Sequence, residues 1–146
     1  MDLSLTEIRT RIKNYLMDVG GLVWPDSAID ESVRLALRDL QEVTPITLTI
    51  EGLDGALVTV LEMGMDSLVI RGAAVYALEM RSIDRMDAFE LNQTGIDAAH
   101  LIERLKKQYL IDIEKVRIKQ FQVSSGVPYF QLPDPDIEVD DVTSAD

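Results

Sequence analysis

The sequence predicts a mainly α fold: a small helical bundle with an inserted β-hairpin and an extended C-terminal arm. Three observations carry that prediction. Apolar residues recur at steps of three and four through most of the first 121 residues, which is the signature of helices with one buried face. Between Ile46 and Leu61 the rhythm shortens to two, as in a half-buried strand. Beyond Gln122 the periodicity stops, and Pro128, Pro133 and Pro135 exclude a regular helix. Residues 1–122 therefore read as a helical domain, with the hairpin at about 46–61, and residues 123–146 as the arm.

The helices follow in order. Ser4-Leu5-Thr6-Glu7 has the spacing of a capping box, and Leu5, Ile8, Ile12, Tyr15, Leu16 and Val19 form one stripe behind it. Gly20-Gly21 supplies the left-handed residue that commonly ends such a helix. Trp24 is expected to pack on the next helix, which Asp26 or Ser27 caps and Pro45 stops. Ile29, Val33, Ala36, Leu37, Leu40 and Val43 are its apolar stripe.

Ile46, Leu48 and Ile50 alternate with polar residues, Gly52–Gly55 reads as a turn, and Ala56–Leu61 as the returning strand. From Asp66 to Ile83 a helix is apolar on every side, so neighbours must cover it all round. Gly72, Ala73, Ala74 and Ala77 let those neighbours approach closely. Met86, Phe89 and Leu91 then continue that helix or form a packed loop. Thr94 caps the longest helical signal, Ile96–Phe121, whose apolar face is Ile102, Leu105, Tyr109, Ile113 and Val116. Its other side sets Arg104, Lys106, Lys107, Lys115, Arg117 and Lys119 against four acids, for a net +2.

Composition narrows the function. The net charge of −12 disfavours a role that depends on gripping phosphates, although a like-charged wall would let DNA slide past. There is no cysteine, hence no disulfide, no thiolate catalysis and no thiolate-bound metal. The start, Met-Asp-Leu-Ser-Leu-Thr-Glu, lacks the pattern of a signal peptide, and no stretch reads as a membrane span, so a soluble intracellular protein is expected.

No enzyme signature stands out. His100 is the sole histidine and reads as a structural or surface residue rather than a general base. Asp134, Asp136, Glu138 and Asp140 resemble the start of a calcium loop but lack its glycine and its closing glutamate. They read as a solvated acidic tail. No catalytic, metal-binding or cofactor-binding residue is expected, and the chain reads as a non-enzyme.

The arm combines an apolar anchor with an acidic end. Val127, Pro128, Tyr129, Phe130 and Leu132 come first, and the residues from Asp134 onward carry −6 with no Lys or Arg. Left free, the anchor exposes large apolar groups and marks a contact; folded back, it is buried on its own bundle.

The order of these elements resembles the head–tail connector, or adaptor, proteins of tailed bacteriophages. The resemblance lies in the capped first helix, the Gly-Gly-Leu-Val-Trp-Pro-Asp-Ser-Ala-Ile linker, the Val33–Leu40 stretch, the Leu68–Leu78 helix and the charged Leu101–Tyr109 run. It implies a ring, twelve subunits in that family, beneath the capsid portal protein. The ring extends the channel through which DNA passes without specific binding, and it joins the head to a downstream tail or stopper protein. The location implied is the virion neck, assembled in the host cytoplasm. Val127, Pro128, Tyr129, Phe130 and Leu132 would then dock on the portal. Arg104, Lys107, Lys115, Arg117 and Lys119 would meet acidic neighbours between subunits. The alternative is a cellular helical binding or regulatory module that uses its arm to contact one protein partner.

Overall fold

The computed structural model describes residues 3–84 and 93–124. Its helices are α1 (Leu5–Tyr15), α2 (Asp26–Glu42), α3 (Met65–Asp84) and α4 (Gln93–Ser124). The predicted helical bundle is present, and α3 is its centre, touching the other three helices and lying most extensively against α2.

α1 begins as its sequence predicts. Ser4 Oγ accepts from the Glu7 amide at 3.4 Å, and Leu5, Ile8 and Ile12 are buried. Glu7 Oε1 accepts from Arg11 Nη2 at 3.1 Å instead of closing the other half of the capping box. The helix stops at Tyr15, before the Gly20-Gly21 pair, and Met17 takes the left-handed turn at φ 58°. Tyr15, the last helical residue, and Val19, beyond the helix, were predicted on the apolar stripe and are exposed.

α2 buries Ile29, Val33, Ala36 and Leu40, as its stripe requires. Its N-cap is Pro25, without a side-chain bond, so Asp26 and Ser27 fall inside the first turn. Asp26 is spent instead on Lys13, at 2.5 Å, and Arg9 binds Asp30 through two hydrogen bonds of 2.7 and 2.6 Å. These pairs hold α1 along α2. Trp24 is buried in the core cluster, and its indole Nε1 donates to the Ala77 carbonyl of α3 at 2.8 Å.

α3 has Leu68, Val69, Ala73, Ala74, Val75 and Ala77 buried. The expected close approach occurs at Gly72, where a Cβ would stand 2.5 Å from the Tyr109 ring of α4. Only glycine leaves room for that ring. The helix runs from Met65 to Asp84, one residue beyond the predicted span at each end.

α4 has 32 residues and is about 48 Å long, outrunning the predicted span at both ends. Thr94 therefore lies inside it. Tyr109 and Ile113 are buried, while Ile102, Leu105 and Val116 are half-buried.

The predicted β-hairpin is a correction. Among the described residues no strand forms, and the chain between α2 and α3 holds a single antiparallel bridge, Thr49 with Val60. The turn itself is present, with Gly52, Asp54 and Gly55 at positive φ. A ladder fails to grow because its backbone groups are taken elsewhere. The Glu51 carbonyl accepts from the Leu5 amide at 2.9 Å. The Glu51 amide donates to Thr59 Oγ1 at 2.9 Å, and that hydroxyl donates to the Leu3 carbonyl at 2.5 Å. Leu48, Ile50 and Leu53 are buried as one anchor, whereas Ile46, Leu57 and Val58 are exposed. The loop is tied to the N-terminus, as an isolated two-stranded hairpin would need to be. No helix among the described residues is long and apolar enough to cross a membrane.

Candidate interaction surface

Among the described residues no group of three or more His, Cys, Asp or Glu is arranged to hold a metal, and His100 is exposed on α4. One sheltered polar cluster joins three helices. Asp39 Oδ2 of α2 accepts from the phenols of Tyr76 at 2.6 Å and Tyr109 at 2.9 Å, joining α2, α3 and α4. The two rings meet edge to face at 6.3 Å, a favoured aromatic geometry. Burial first, and the Asp39 carboxylate second, push both phenol pKa values above their ordinary range. Both phenols stay protonated and donate.

What the molecule does offer is surface. Arg104, Lys107, Lys115 and Lys119 are exposed, and helical phase sets them along one side of α4. Lys115 lies 4.0 Å from Asp112. Arg117 sits apart from that row, 3.5 Å from Glu114, and lines a cleft against the end of α2. Lys106, counted with the same basic side, turns to Glu79 of α3 at 2.8 Å. Five of the six predicted cations are therefore on the outer surface, and four of them form a row.

The sequence reading missed the apolar members of that row. Ile111 is 44% exposed and Ile118 is 51% exposed, and both stand between the cations. Their seven-residue spacing was the available signal, hidden because the inner face of α4 is also apolar. The outer face of α4 is thus mixed basic and aliphatic.

A second surface is the loop from Leu16 to Trp24. Met17, Val19 and Leu22 are strongly exposed there. The loop is shaped by Asp18, which is buried. Its carboxylate accepts from the amides of Leu22, Val23 and Trp24 at 3.0 to 3.3 Å. Those bonds, led by the one from Trp24, hold its pKa below the usual carboxylate range, against the opposing cost of burial. Sequence reasoning passed over Asp18 because nothing marks a lone aspartate as a loop organiser. A third exposed group, Leu57, Val58 and Met63, lies on the loop before α3.

The portal-docking residues proposed from the sequence, Val127, Pro128, Tyr129, Phe130 and Leu132, lie outside the described residues. So do Met86, Phe89 and Leu91. Compared with protein-family models, with curated proteins and with solved structures, the chain matches none.

Proposed function

We propose that this protein is a structural, non-enzymatic head–tail adaptor that assembles as a ring under a phage portal and continues the DNA channel toward the tail. The observation that supports it best is the outer face of α4. There Ile111 and Ile118 stand in a row of cations on a chain whose net charge is −12. A face that is both basic and apolar suits a neighbour that is acidic and apolar. The loop before α3 has that character, with Glu51, Leu57, Val58 and Glu62 and no Lys or Arg from 46 to 64. Two different patches on one chain make a head-to-tail contact, which closes into a ring when the rotation permits. The acidic remainder suits a channel that must pass DNA without holding it.

The test is a pull-down from source lysate with the tagged full chain beside a version ending at Ser124, so that α4 stays whole. Captured proteins are identified by mass spectrometry. Recovery of a portal-sized ring protein by the full chain, and its loss on truncation, supports both the adaptor and the docking role of residues 127–132. Recovery by both versions keeps the adaptor and removes that role. Capture of a single cellular protein at simple stoichiometry, with no virion component, replaces the adaptor with the regulatory module.

A further inference from the structure

The outer face of α2 and the loop before α3 form a surface groove of about 320 Å³, at the low end of the size range for small-ligand pockets. Arg34, Leu37, Arg38 and Gln41 line it from α2, a single helical stripe at steps of three and four. Leu48, Leu53 and Asp54 line it from the loop. Three of the four polar side chains are already committed. Arg34 Nε donates to both carboxylate oxygens of Asp54, at 2.9 and 3.0 Å, and Arg34 Nη1 donates to Glu31 at 3.0 Å. Gln41 donates to the Ile46 carbonyl and accepts from the Leu48 amide, both at 2.7 Å. Arg38 is the exception. It is exposed and has neither hydrogen bond nor ion pair among the described residues.

These features select the occupant by its chemistry. Leu48 and Leu53 are buried and close the floor, while half-buried Leu37 and the arginine stems supply open aliphatic surface. A phosphate would leave that surface idle and would meet the repulsion of a chain with net charge −12. A neutral hydrocarbon would leave Arg38 idle. One carboxylate joined to a branched aliphatic group uses both, since a guanidinium matches a carboxylate in charge and in shape. The rim is open, with the side chains of Arg34 and Asp54 41% and 61% exposed. The rest of the ligand therefore continues outward, as a peptide does when its chain end is captured.

We propose that this groove binds the C-terminal residue of a partner polypeptide that ends in leucine, isoleucine or valine. Its chain-end carboxylate pairs with Arg38, and its side chain lies against Leu37 over the floor of Leu48 and Leu53. The site goes beyond the adaptor reading and does not depend on it. Because the ligand touches both α2 and the loop, binding braces the one against the other.

The test is NMR of the full chain with labelled leucine methyl groups, titrated with acetyl-Gly-Gly-Leu and with the same peptide as its C-terminal amide. The acid should shift the methyl signals of Leu37, Leu48 and Leu53 with a Kd on the order of 1 mM, the range open to so few ligand atoms. The amide should bind at least about tenfold more weakly, since a hydrogen bond to a charged group is lost. Equal binding of acid and amide, or no shift at these three leucines, overturns the proposal. Arg38→Gln is the second arm. Arg38 is exposed and unbonded, so the spectrum of the free protein should otherwise be kept while the preference for the acid disappears. A preference that survives the substitution overturns the pairing with Arg38. Acetyl-Leu-Asp-amide, whose carboxylate is on a side chain, is the third. It should bind more weakly than acetyl-Gly-Gly-Leu, and equal or tighter binding overturns the chain-end assignment in favour of an internal acidic motif. No arm uses the portal or a ring, so failure here and failure of the adaptor reading are told apart.

Discussion

α2 and α4 are fastened to α3 by different chemistry. The α2 side rests on aliphatic groups fully closed to solvent, Ile29, Val33, Ala36 and Leu40, around which Arg9 and Lys13 of α1 add ion pairs. On the α4 side two side chains are buried, Tyr109 and Ile113, with Ile102, Leu105 and Val116 half-buried, and polar bonds add to the attachment. Asp39 collects two phenols, Arg71 meets Asp112 at 2.7 Å, and Lys106 meets Glu79. The aliphatic seam is sensitive to missing volume, and the polar clasp is sensitive to an added atom or a lost acceptor.

That contrast predicts where each kind of damage falls. Ile29→Ala leaves a hole in a site closed to solvent and should cost about 2–5 kcal/mol. Urea melts of the two proteins measure it, and a cost below about 1 kcal/mol would mean that the seam collapses to fill space. Gly72→Ala puts a methyl group against the Tyr109 ring and should cost about 1–3 kcal/mol. The loss should fall on α4, read as faster amide exchange there while α1 and α2 keep their protection. Equal loosening everywhere would erase the distinction between the two attachments.

Asp39→Ala strands two sheltered phenols and should cost about 1–3 kcal/mol. The clasp also fixes a pH limit. The folded phenols have raised pKa values, so their contribution is complete below the ordinary tyrosine range and is lost as pH rises beyond about 10. Tyr76→Phe should flatten that alkaline decline in a stability–pH series. Asp18 works in the opposite direction. Its lowered pKa gives stability that is present above the ordinary aspartate value, about 3.9, and lost as pH falls further. Asp18→Asn should blunt the acid limb of the same series. The smallest effect belongs to the exposed Arg11–Glu7 pair, where Arg11→Ala should cost about 0.3–0.5 kcal/mol.

The two sides also differ in how far the sequence disclosed them. Stripes such as Ile29-Val33-Ala36-Leu40 are periodic, and period is a local property that survives in one dimension. Gly72 was legible as a place of close approach, but its visitor, Tyr109, is 37 residues away and bears no mark of the partnership. The hairpin was misread for a related reason. Alternation at 46–50 is real, yet whether it becomes a ladder depends on which distant groups claim the Glu51 amide and carbonyl, and here Thr59 and Leu5 do. The proposed cations of α4 were legible by charge, while Ile111 and Ile118 among them were absorbed into a general expectation of core.

The loop organised by Asp18 has a consequence for recognition. Its backbone is already fixed by one carboxylate, a left-handed Met17 and the Trp24 anchor on Ala77. A surface that docks through Met17, Val19 and Leu22 therefore has little chain entropy left to remove, at about 1–2 kcal/mol for each residue that a loose loop would have to order. All three amide bonds of the loop rest on the charge of one carboxylate, so protonating Asp18 would loosen them together.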